Sequence, residues 1–170
     1  MNEKLSLLAL LEIGSALSMG VFILVFTFLF IQWIGKKWFD IKQKNEAFGI
    51  FMACILFSVG YTVSSVLSPL LSLFRILANQ SRETLPLLFS FLVTGALYIG
   101  ISYALGLSIC LLGIFIYTFL TPINEFKELK NNNMAVAFVV GSIIITLSLL
   151  SNHGITLLIE SLIPYPEVFP

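Results

Sequence analysis

Long apolar runs alternate with short polar breaks along the chain, and this pattern alone predicts the elements. Apolar residues fill 5–34, 47–67, 85–120 and 135–150 with few interruptions. A helix of about 20 apolar residues crosses a hydrocarbon core of about 30 Å. The first and third runs exceed that length, so each tilts, protrudes or includes an interfacial turn. Pro86 offers a break near the start of the third, which places its span proper from about Leu97. Helices are expected rather than strands, because lipid offers no partner to open backbone groups and the runs lack the alternation of a barrel. Two mixed segments follow the second and fourth runs: SPLLSLFRILANQSRETL and GITLLIESLIPYPEVFP. Their leucines are interrupted by Arg75, Arg82 and Glu83, or by Glu160 and Glu167, which reads as interfacial helices or turns on the membrane surface. The expected fold class is all-α: an integral membrane four-helix bundle with short interfacial helices.

Composition agrees. Of 170 residues, 58% are hydrophobic and 11% charged, against about 25% charged in soluble domains. Nine Lys/Arg balance nine Asp/Glu, which removes the basic excess of a nucleic-acid binder. Lys4 followed by LSLLALL has the start of a signal peptide, but Glu12 interrupts it and the apolar pattern continues to Ile34. A cleavable leader is shorter, so a retained first span is expected. Cys54 and Cys110 lie inside apolar runs and read as packed thiols. The connection 35–46 carries Lys36, Lys37, Lys42 and Lys44, and 121–133 carries Lys127 and Lys130; Lys4, Arg75 and Arg82 remain for the other side. By the positive-inside rule both connections face the cytoplasm and both termini face out. Trp33 and Trp38 flank the first cationic loop at headgroup level.

An internal repeat is expected. A shift of 88 positions lays 40–58 on 128–146 with Lys42/Lys130, Asn45/Asn133, Ala47/Ala135 and Ile55/Ile143 identical, and DIKQKNEA set against ELKNNNMA. The reading is two parallel two-span units, 1–84 and 85–170, about a pseudo-two-fold axis along the membrane normal. Gly49 and Ala53 fall in register with Ala137 and Gly141. Small residues four apart permit close helix approach, so the second and fourth spans are expected to touch there. Ser102, Gly106 and Cys110 make another small face on the third span. Asn45 and Asn133 stand at helix starts, as N-caps or as a functional polar pair at the mouth of the repeat interface.

The stretch TPINEFKELKNNNMAVA, from Thr121 and Pro122 through Asn133 and Ala135 to Ala137, resembles the signature of the YjfL-like bacterial membrane proteins. The first unit echoes its end as Asn45, Ala47 and Gly49, with Trp33-Ile34 in place of Thr-Pro, while Lys44 and Asn132 stand where that family often has glycine. The resemblance implies a four-helix protein of the bacterial inner membrane. It also implies genomic company with membrane-stress coat proteins and ligase-type enzymes, without an activity of its own.

Chemistry is sparse. The one histidine, His153, has no clustered companions, and no nucleophile elbow, phosphate loop or zinc motif occurs. No enzyme, cofactor or metal is expected. Glu12 is the one acidic residue inside an apolar run, an interfacial carboxylate or a pore-mouth residue. Two functions follow. One is a membrane platform whose loops 36–46 and 125–133 contact lipids, anionic ones included, or a cytoplasmic protein partner. The other is an oligomeric channel lined by Ser, Thr, Tyr61, Tyr98 and Tyr103. A homo-oligomer suits both.

Overall fold

The computed structural model describes residues 3–39, 45–80, 84–122 and 124–163. Among these described residues six helices follow in order: α1 Glu3–Phe39, α2 Glu46–Ser64, α3 Leu67–Gln80, α4 Thr84–Leu120, α5 Glu125–Lys130 and α6 Met134–Ser161. Among the described residues four stretches are long and apolar enough to cross a membrane: Leu17–Lys37, Glu46–Leu73, Leu92–Leu120 and Met134–Ser161. The chain is a multi-pass membrane protein. Phe22, Phe119 and Leu150 are 72%, 81% and 76% exposed, a surface that suits lipid and would aggregate in water.

The spans join differently from the sequence expectation. Pro86 does not break the third span: it lies in the first turn of α4, where its missing N–H would have no intrahelical acceptor anyway. The fourth span does not end at Leu150. Helix α6 continues through Gly154 to Ser161, so GITLLIES belongs to the span, and 164–170 lie outside the described residues. Within the second of these stretches the helix does break, at Ser65 and Val66. Pro69 explains it: in a continuous helix its ring would press on the carbonyl of Ser65, four residues back. Helix α3 then re-enters the bundle, with Val66, Pro69 and Leu73 buried, rather than only lying on the surface.

The most extensive contact is between α2 and α6, and α4 packs on both. Phe51, Ile55, Val59, Val140 and Ile144 form the cluster toward the end that carries the two connections, hereafter the loop end. Val66, Leu73, Tyr98, Ile155 and Ile159 form the cluster toward the other end. Glycines set the closest approaches. A Cβ on Gly113 of α4 would lie 3.2 Å from the Cα of Ile144, and one on Gly106 would lie 3.3 Å from the Cβ of Thr62. Helix α1 is the outlier. It packs on α2 and α5 and leaves Leu17, Val21, Phe22, Val25, Phe26 and Leu29 exposed. Between α1 and α2 an apolar crevice of about 260 Å³ is lined by Met19, Ile23, Leu24, Gly60, Val63 and Leu67.

The α2–α6 contact does not run through the pair of small motifs. Ala137 and Gly141 face inward, and a side chain at Gly141 would collide with the Sγ of Cys54; Gly49 and Ala53 are exposed, with nothing near Gly49. Buried positions of α2 (Ala47, Phe51, Ile55, Val59) match buried positions of α6 (Val136, Val140, Ile144, Ser148) at 89 positions, not 88. One position is about 100° around a helix. The two aligned helices therefore turn different faces to each other.

Candidate functional site

The loop end is built on asparagines, because the starts of α2, α5 and α6 and the end of α5 meet there and each exposes unpaired backbone groups. Asn45 caps α2: its Oδ1 accepts from the N–H of Phe48 at 2.7 Å. Its Nδ2 also donates to the carbonyls of Leu129 at 2.6 Å and Lys130 at 3.2 Å, the open end of α5. An amide side chain carries an acceptor and two donors, so it can accept at one helix start while donating to another helix's end. Asn132 completes the link in reverse, its Oδ1 accepting from the N–H of Ala47 at 2.9 Å. Asn133 caps α6 through the N–H of Val136 at 3.4 Å and donates to Glu128 Oε2 at 2.8 Å. Asn124 caps α5 through the N–H of Lys127 at 3.0 Å. Asn132 has φ 61°, a left-handed conformation that glycine adopts freely and asparagine more readily than most residues.

Helix α4 delivers the chain to this end. Thr121 donates its hydroxyl to the carbonyl of Tyr117 at 2.8 Å, closing the last turn. Pro122, exposed, cannot continue the helix. Glu125 then turns inward, 5% exposed: Thr118 Oγ1 donates to its Oε1 at 2.7 Å, and its Oε2 is buried without a partner. Glu128 is half-buried against Asn133, whereas Lys127 and Lys130 are exposed. Lys36 and Lys37 of α1 are exposed as well, and the Lys37 ammonium lies 4.7 Å over the Trp33 ring. Gly35 is pressed against Phe48, whose Cζ a Cβ would meet at 2.5 Å. Ala47 and Ala137 are buried, while Ala135 faces out. Lys42 and Lys44 lie outside the described residues, as does the side chain of Glu12.

A second polar feature runs up the α2–α6 contact. Ser148 Oγ donates to the carbonyl of Ser58 at 3.0 Å and lies 3.2 Å from Thr62 Oγ1; Ser65 Oγ bonds to Asn152 Oδ1. Tyr103 and Tyr98 are engaged inside the bundle, with Thr27 at 3.3 Å and with the carbonyl of Leu162 at 2.9 Å. Ser58 and Ser102 hydroxyls are buried without partners. His153 is exposed, and among the described residues no group of three His, Cys, Asp or Glu gathers. Sequence reasoning missed Thr118, Asn124, the inward turn of Glu125 and the Ser58–Thr62–Ser148 set. The one available signal was Asn124 one position before EFKELK, where a cap belongs.

A family model described as a domain of unknown function, DUF350, matches residues 4–155. No curated protein and no solved structure matches the chain. The matched stretch reaches into all six helices and includes every asparagine of the loop end, and the chain therefore belongs to the DUF350 family.

Proposed function

We propose that the chain is a membrane platform without enzymatic chemistry of its own, a protein of the bacterial inner membrane whose loop end faces the cytoplasm. On this reading 1–84 and 85–170 are two duplicated two-span units, joined at that end and working as a homo-oligomer. The observation that carries it is the asparagine linkage: Asn45 of the first unit bonds to Leu129 and Lys130 of the second, and Asn132 of the second bonds back to Ala47. Such a linkage holds α5 and the starts of α2 and α6 as one fixed surface, which is what a docking face for lipid headgroups or a soluble partner needs. The lysine bias supports the orientation. Resemblance to the YjfL-like pattern supports a place in membrane-stress or defence responses.

A channel is the second reading, favoured by the two buried hydroxyls of Ser58 and Ser102 that lack partners and would suit internal water. Glu12 would then ring a pore mouth. Single-particle imaging of the detergent-solubilised full chain separates the two. The platform reading expects solid bundles, single or in a small dry assembly. A ring of copies around a continuous polar lumen would overturn it and make conductance the next measurement.

A further inference from the structure

We propose that the loop end carries a binding site for the phosphate headgroup of an anionic phospholipid, centred on Lys36 and Lys37 and completed by Lys127 and Lys130. The inference rests on the platform reading and names the ligand of its exposed face.

Charge segregation on α5 is the first argument. Its sequence EFKELK is formally neutral, yet its acids and its lysines face different ways. Glu125 is buried on Thr118 and Glu128 is drawn to the Asn133 amide, while both lysines point out. Helix α1 packs against α5, which brings Lys36 and Lys37 to the same end. Among the described residues of this end, Glu46, in the first turn of α2, is the exposed acid.

Geometry along α1 is the second. Side chains of a helix lean toward its N-terminus, and α1 enters the loop end with its C-terminal turn. Lys36 and Lys37 therefore lean back toward the apolar span rather than away from it. The Lys37 ammonium is held over Trp33, one turn deeper, a contact that restrains the chain while leaving the cation free to meet an anion. Trp33 is 50% exposed, and Leu29 and Phe30 continue the exposed apolar surface below it. A phosphate at Lys37 thus has an apolar track directly beneath it. That juxtaposition fits a headgroup with acyl chains and gives a soluble anion nothing to lie on.

The test is native mass spectrometry of the full chain released from mixed micelles of equal phosphatidylglycerol and phosphatidylcholine. Retention of phosphatidylglycerol over phosphatidylcholine is expected. Each cation near an anionic surface is worth about fivefold, so K36Q/K37Q is expected to lower the preference about 25-fold, with thermal stability unchanged. K127Q/K130Q is expected to lower it by a similar factor. Equal retention of the two lipids, a preference untouched by K36Q/K37Q, or displacement of the lipid by inorganic phosphate would overturn the site. Its failure is distinct from that of the platform: solid bundles without lipid preference sink only the site, whereas a ring with a lumen sinks the platform.

Discussion

Helices α1 and α4 are both 37 residues long and both strongly apolar, yet they are held in different ways. Helix α4 meets α2 and α6 through Gly106 and Gly113, where backbones nearly touch. Helix α1 has Gly14 with nothing near it, Gly20 likewise, and one close approach at Gly35, against Phe48 at the loop end. In lipid, apolar surface does not drive association; close van der Waals packing and interhelical hydrogen bonds do. Length and hydropathy therefore commit a helix to the membrane without committing it to the bundle. Small residues turned toward a neighbour decide the second matter. Helix α4 has glycines of this kind along its length, whereas α1 has one at its loop end and, at mid-span, Thr27 against Tyr103.

The sharpest way to break this contrast is to give both helices the same bulk. Gly113→Val would push methyls into the Ile144 backbone, 3.2 Å from where the Cβ must sit, and neither backbone has a rotamer to yield. A cost of about 3 kcal/mol is expected from such overpacking, a fall of about 10 °C in the melting temperature of the purified protein. Gly14→Val, with nothing within 4 Å, is expected to change it by less than about 2 °C. Equal losses at both sites would mean that α1 is packed as tightly as α4.

The sequence could be read for spans but not for their joins, and particular residues show why. Leu67 and Leu150 are each followed by an apolar-polar mixture, and in sequence both read as the ends of spans. Pro69 breaks one helix, whereas α6 runs on past Asn152, whose side chain meets Ser65 across the interface. No local pattern reveals that partner, 87 positions away. Asn45 and Asn133 could be read as caps, because capping is local and needs only the residue and the helix after it. The second use of Asn45, on Leu129 and Lys130, is a tertiary fact. Gly49 and Ala53 show the opposite failure. A small motif says that a close approach is possible, and says nothing about which face turns inward. A difference of one position, about 100°, was enough to put Gly49 and Ala53 on the outside.

The asparagine linkage joins α2 to the second connection, so weakening it tests how far that joint holds the loop end together. Asn45→Ala removes the acceptor for Phe48 N–H and both donors to α5, and about 2–3 kcal/mol is expected from a lost cap plus unpaired carbonyls. Asn45→Asp keeps the acceptor and removes the donors, so about half that loss is expected in the same thermal melt. An aspartate variant as stable as the wild type would show that the bonds to α5 contribute nothing, and the linkage would reduce to an ordinary cap.

Asn132 offers the finest probe, because its two roles oppose each other under substitution. Its φ of 61° disfavours any residue with a Cβ, while its Oδ1 serves the N–H of Ala47, a residue with no exposed surface. Asn132→Gly relieves the first and forfeits the second, for a net loss of about 0.5 kcal/mol. Asn132→Ala forfeits both, for about 2 kcal/mol. The expected order of melting temperatures is wild type, then glycine, then alanine. Glycine above the wild type would make backbone relief the larger effect, and the bond from α2 back to the second connection would be incidental. Alanine equal to glycine would mean that this turn is not held left-handed at all, and that what fastens α2 at the loop end is Asn45 alone.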